Sequence, residues 1–192
     1  HVGHDYLEDY EERFESYHRK ESRIKFDLEL FNKITKGGLP NKTLNIALAG
    51  TGVGKSLFMC HHASSVLLDG KNVLYITLEM AEEKIAERID ANLLNVNIQN
   101  ITELPKPMFE SKVNNLAKKT QGTLIIKEYP TASAHSGHFK SLLNELALKK
   151  SFTPDIIFID YLNICASSRY RTNNNVNSYS YIKAIAEELR GL

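Results

Sequence analysis

The chain contains no tryptophan, two cysteines, five prolines and no excess of charge of either sign: 24 basic side chains stand against 23 acidic ones, for a formal net charge of +1. Each shortage excludes something. The near-neutral balance leaves no whole-chain field to draw in a polyanion, so any nucleic-acid contact has to be local. Cys60 and Cys165 each sit in an apolar stretch without a second thiol nearby, which argues against a disulfide framework and for a reducing, intracellular setting. No apolar run approaches the roughly 18 residues of a membrane-crossing helix, and the acidic, aromatic start "HVGHDYLEDY" is unlike a signal or transit peptide. At 192 residues and 42% hydrophobic content, one sizeable core is expected and a second is not. The chain starts without Met and stops at "AEELRGL" with a helical pattern still running, so a fragment of a longer protein is expected.

The patterning is that of alternating strands and helices. Tyr6, Tyr10, Phe14 and Tyr17 recur at spacings of four, four and three, with Leu7 beside them, which predicts an amphipathic helix over the first twenty residues. After the turn "KGGLPNKT", the run "LNIALA" at 44–49 reads as a short buried strand. A helix closed by Gly70 follows, then strands at 72–78, 123–129 and 155–160, with helices at 81–94, 107–119, from Ser136 to Lys150, and at 178–190. Strands that are apolar on both faces and alternate with helices describe a mostly parallel sheet flanked by helices, an α/β fold.

The chemistry concentrates in "AGTGVGKS", residues 49–56. In a phosphate-binding loop, consecutive backbone N–H groups converge on one concavity and the following helix N-terminus adds positive potential. Ala49, Gly50, Thr51, Gly52, Val53, Gly54, Lys55, Ser56 and Leu57 form the candidate nucleotide site, with Lys55 a cation for the β- and γ-phosphates and Ser56 a hydroxyl for Mg²⁺. Ala49 stands where the usual pattern has its first glycine.

Asp160 ends the strand "DIIFID" and is the second candidate Mg²⁺ residue, through water; alone it could equally cap a turn. Glu79 stands at the end of the strand at 72–78 and could orient and deprotonate an attacking water, or could complement the next helix dipole together with Glu82 and Glu83. The pairs His61/His62 and His135/His138 lack metal-ligand spacing or partners. The stretch "SSRYRTNNNVNSYSYIK" at 167–183 interleaves Arg169, Arg171 and Lys183 with tyrosines and amides. That composition fits single-stranded nucleic acid, and equally a solvated loop.

Taken in order, these motifs resemble the DnaB-type hexameric replicative helicases with a RecA-like P-loop core, in particular their T-even-phage branch. That family's phosphate loop often begins with Ala, its second strand ends in "LEM" as Leu78, Glu79 and Met80 do, and its metal strand runs on as "IDYL", matched by Ile159 to Leu162. "GGLPNKTLNIALAG" resembles the approach to the loop, and "KAIAEEL" at 183–189 the helix after the DNA loop.

The resemblance implies ATP and Mg²⁺ as cofactors, Glu79 as the water-activating base with Lys55 beside it, and Arg169, Arg171 and Lys183 facing DNA in a central channel. It implies that residues 1–22 are a linker helix docking on a neighbouring subunit through Tyr6, Leu7, Tyr10, Phe14 and Tyr17, and that 23–192 are the ATPase domain, its C-terminal strands missing. It further implies a homo-hexamer on single-stranded or forked DNA, primase and a helicase loader as partners, no membrane, and the cytoplasm of a bacterial host.

The family's N-terminal primase-interacting domain is absent from the chain. So are its later strands with the γ-phosphate sensor and arginine finger, whose loss would cost roughly three to five orders of magnitude in rate. A RecA- or clock-type ATPase and a small-molecule kinase share the phosphate loop. The first differs by lacking unwinding on a forked substrate. The second would need an arginine-rich lid, which is not readable here.

Overall fold

The computed structural model describes residues 3–130, 133–170 and 177–192. Three parallel strands form the centre: β3 (Val73–Thr77), β4 (Leu124–Glu128) and β5 (Ile156–Asp160), in the order β4-β3-β5. Val73 aligns with Leu124 on one side and Ile156 on the other, so Thr77, Glu128 and Asp160 end the three strands at one edge.

All five residues of β3 are buried, and their period-2 alternation feeds two cores. Val73 and Tyr75 pack with Cys60, Ala63 and Val66 of α3 (Lys55–Leu68) and with Ile85 and Ile89 of α4 (Glu82–Leu93). Leu74 and Ile76 pack on the opposite face with Phe139 and Leu146 of α7 (Ser136–Lys150) and with Ile185 and Leu189 of α8 (Ser178–Arg190). A sheet covered on both faces needs apolar residues at every position, which is why "VLYIT" reads as continuous.

The helix ends follow local chemistry. Gly70, at φ 84°, closes α3: its N–H donates to the Leu67 carbonyl at 3.0 Å, and the Lys71 N–H to that of Val66 at 3.2 Å. The Asn177 side chain accepts from the Tyr179 N–H to start α8. His135 does the same for the Gly137 N–H at the start of α7, and His138 accepts from the His135 N–H, so this histidine pair serves as a helix cap. The long polar connection after α4 contains one turn of helix, α5 (Ile98–Ile101), before α6 (Lys106–Ala117).

Two features were not expected. Residues 23–40 form a small unit: β1 (Arg23–Ile24) pairs antiparallel with β2 (Leu39–Pro40) around the short helix α2 (Glu29–Ile34). Gly38, at φ 118°, is required there, since a Cβ would lie 2.3 Å from the Ile24 carbonyl oxygen. Phe26 of this unit stacks on His62 at 4.2 Å, and Asp27 pairs with His61, which also contacts Asn92 of α4 at 2.8 Å. The histidines of α3 therefore anchor this unit.

The second is a correction: "LNIALA" at 44–49 is not a strand. The whole run is exposed, with Leu44 at 37%, Ile46 at 63% and Leu48 at 96%. Among the described residues no strand pairs with the outer edge of β5, so the run has no ladder neighbour to satisfy its backbone groups or cover its side chains.

Candidate nucleotide-binding site

The phosphate loop joins the exposed run at 44–49 to the N-terminus of α3. Gly52 and Gly54 take φ values of 73° and 103°, and a Cβ at either would meet no atom within 4 Å. Backbone conformation and not crowding demands glycine at both. A cleft of about 570 Å³, within the usual range for small-molecule sites, runs along the loop. Ala49, Gly50, Thr51, Gly52, Gly54, Lys55, Ser56 and Leu57 line it, as expected from the motif, while Val53 points outward and is 73% exposed.

Lys55 and Asp160 meet at the end of the sheet. The lysine Nζ lies 3.8 Å from Asp160 Oδ1 and 3.7 Å from the ring centroid of Tyr161. Its charge is thus held between a carboxylate and an aromatic face. Asp160 is buried. Its Oδ2 accepts a 3.0 Å hydrogen bond from the Tyr75 hydroxyl, whereas Oδ1 is buried without a hydrogen bond. A buried carboxylate oxygen left open beside a phosphate-loop lysine suits a divalent cation held through water, with Ser56 on the first turn of α3 as its other protein oxygen. Among the described residues no three His, Cys, Asp or Glu side chains cluster as a self-sufficient metal site, so such an ion would also have to be held by phosphate oxygens.

Glu79 follows β3 and lines the same cleft. The turn that carries it is tied down: Thr77 Oγ1 donates to the Met80 carbonyl at 2.7 Å and accepts from its N–H at 3.1 Å, and the Leu78 N–H donates to the Asp160 carbonyl at 2.9 Å. Glu82, by contrast, sits in the first turn of α4, the helix-end position, and its carboxylate accepts from the Glu128 N–H of β4 at 2.8 Å, tying the helix to that strand. Arg88, Tyr161 and Asn163 also line the cleft and were missed in the sequence. Tyr161 borders Asp160 in the motif and could have been flagged; Arg88 reaches the cleft only because α4 crosses it.

This is the geometry of a phosphate-loop α/β core, and comparison with known proteins places the chain in a family. The model of the DnaB-like helicase C terminal domain matches residues 24–192. The chain belongs to this family. It is 50% identical, over its entire length, to the DnaB-like replicative helicase of Enterobacteria phage T4, of which it spans 41%. It is 29% identical over 77% of its length to the probable plasmid replicative DNA helicase of Chlamydia psittaci, spanning 31% of that protein. The chain thus spans less than half the length of the curated relatives it matches.

Two solved structures share the fold. One is a DnaB-like replicative helicase studied for its interactions with primase (TM-score 0.70, 16% identity, 97% of this chain and 46% of that one). The other is the ATPase domain of G40P (TM-score 0.65, 17% identity, 97% and 68%).

Of the remaining candidate residues, those described do not line the cleft of this DnaB-like domain. Arg169 Nη1 pairs with Glu187 at 2.7 Å, and Lys183 Nζ lies 4.0 Å from the same carboxylate; Arg171 falls outside the described residues. Glu188 accepts from the Ser167 hydroxyl at 2.6 Å, from the Ser168 N–H and hydroxyl, and from the Ser136 hydroxyl, tying the segment after β5 to α7 and α8. Partial burial pushes the Glu188 carboxyl upward, but these hydrogen bonds together outweigh it and hold its pKa down at about 2.

At the other end, helix α1 (Tyr10–His18) is shorter than its sequence pattern, with turns at residues 6–9. Tyr6, Leu7, Tyr10, Phe14 and Tyr17 are 57–79% exposed. Among the described residues no helix is long and apolar enough to cross a membrane.

Proposed function

We propose that the chain is the motor domain of an ATP-dependent replicative DNA helicase, working as a hexameric ring on single-stranded DNA at a fork. The observation that carries this is the convergence of Lys55, Asp160 and Glu79 at one end of a parallel sheet, in a chain of the DnaB-like family.

The loop amides from Gly50 to Ser56 bind the ATP phosphates. Lys55 turns from Asp160 and Tyr161 toward the β- and γ-phosphates. Ser56 and Asp160 would hold Mg²⁺, which when bound would supply positive charge to offset that of the transferring group. Glu79 orients a water and takes its proton as the water oxygen attacks the γ-phosphorus and the bond to ADP breaks.

Arg169, Arg171 and Lys183 contact DNA phosphates. Arg169 and Lys183 share the Glu187 carboxylate, so phosphate has to compete with it for these two cations. Residues 1–22 dock on a neighbouring subunit through the aromatic stripe, whose five large apolar side chains are all exposed. Primase and a loader are the further partners, and the bacterial host cytoplasm is the setting.

The test is strand displacement on a forked DNA with a free single-stranded tail, using the chain extended at both ends to the length of its relatives. ATP-dependent unwinding is expected, with hydrolysis and unwinding both reduced roughly 10²- to 10⁴-fold in Glu79→Gln while ATP still binds. Strand pairing without unwinding would reject the helicase reading.

A further inference from the structure

Tyr75 is the one polar-tipped residue among the apolar side chains of "VLYI" at the centre of the sheet, and it is 0% exposed. Its ring stacks on Phe158 of β5 at 5.8 Å, and its hydroxyl reaches Asp160 Oδ2 at 3.0 Å. The Cys60 thiol of α3 donates to the same hydroxyl's oxygen at 3.8 Å. A chain of three buried groups, thiol to phenol to carboxylate, therefore runs from the phosphate-loop helix through the central strand to the end of β5. It leaves Asp160 Oδ1 open toward Lys55.

We propose that Tyr75 is a positioning residue: its hydroxyl pins one oxygen of Asp160 so that the other is presented, at fixed orientation, to the Mg²⁺ that accompanies the nucleotide. This rests on the reading of Asp160 as a metal residue. Partners that orient a metal-binding carboxylate are worth roughly tenfold to a hundredfold in metal affinity. A phenylalanine would fill the core equally well, so packing alone does not call for the hydroxyl.

The test compares the affinity for a fluorescent ADP in excess Mg²⁺ with that in EDTA, for the whole chain. The ratio of the two measures how far the metal strengthens nucleotide binding. In Tyr75→Phe the EDTA affinity is expected to stay at the wild-type value while the ratio falls about tenfold or more. In Asp160→Asn the ratio collapses.

A wild-type ratio in Tyr75→Phe beside a collapsed ratio in Asp160→Asn overturns the role of Tyr75 while leaving Asp160 as the metal residue. A wild-type ratio in Asp160→Asn overturns the metal reading and the role of Tyr75 with it. Should Tyr75→Phe fail to fold, 3-fluorotyrosine at position 75 keeps both ring and hydroxyl. Its fluorine resonance should move when Mg²⁺ is added to the ADP complex, and an unmoved resonance overturns the proposal.

Discussion

Two apolar runs of similar composition, "NVLYITL" and "LNIALA", end on opposite sides of the folding problem. Every residue of β3 is buried between two cores, with a paired strand on each side. The run at 44–49 lies in solvent, with Leu48 96% exposed. The difference is not hydrophobicity but neighbours: β3 has β4 and β5 to complete its backbone bonds, and the second run has no ladder partner among the described residues. The phosphate loop hangs on the second run on one side and on α3 on the other, so its helix side is anchored and its entry is not.

The largest expected effect that sharpens this contrast is on stability. Leu74→Ala, which empties a fully buried site in β3, should destabilise the chain by about 2–5 kcal/mol in urea unfolding. A loss below about 1 kcal/mol would mean the central sheet is not the stable half.

Glu188→Gln comes next. Hydrogen bonds favour the ionised carboxylate in the folded state, so the folded pKa lies below the unfolded one. Glu188 therefore stabilises the fold above the ordinary carboxylate range, and that contribution is lost as pH falls toward its folded value of about 2. With the group partly exposed, solvent screening limits it to about 1 kcal/mol near neutral pH. Unfolding midpoints of wild type and Glu188→Gln should differ at pH 7 and converge as pH drops from about 5 to about 2. A difference that grows on acidification would contradict the hydrogen-bond account.

Leu48→Ala should have the smallest effect, within about 0.5 kcal/mol, because its side chain is already in water. A loss comparable to that of Leu74→Ala would show that the run is buried in solution.

The same comparison marks what the sequence can and cannot say. Strands β3 to β5 and helices α3, α4 and α6 to α8 were legible within about two residues, because periodicity and end signals there agree with tertiary packing. The run at 44–49 carries the same local signal, and only its lack of partners separates it from β3. Within the unit at 23–40 only the turn "KGGLPNKT" at 36–43 was read, since two-residue strands and a six-residue helix are too short to show a period.

At the site, the placement of Lys55, Ser56 and Glu79 on one cleft, and of Asp160 beside Lys55, was legible because the loop motif opens a helix and the two acidic residues stand at or just beyond strand ends. Arg88 and Asn163 on the cleft and Tyr75 against Asp160 were not, since their placement depends on how α4, the segment after β5 and the paired strands β3 and β5 come together. Arg169 and Lys183 were visible as cations, but their shared pairing with Glu187 needed the fold of α8 against the segment before it.

The central claim is that the partly anchored loop is a nucleotide site organised by Lys55. Equilibrium binding of ATP with Mg²⁺ to wild type and Lys55→Ala tests it most directly. Removing this cation should weaken binding roughly thirtyfold or more, equivalent to about 2 kcal/mol or more, without lowering the unfolding midpoint. Unchanged ATP affinity in Lys55→Ala would contradict the account.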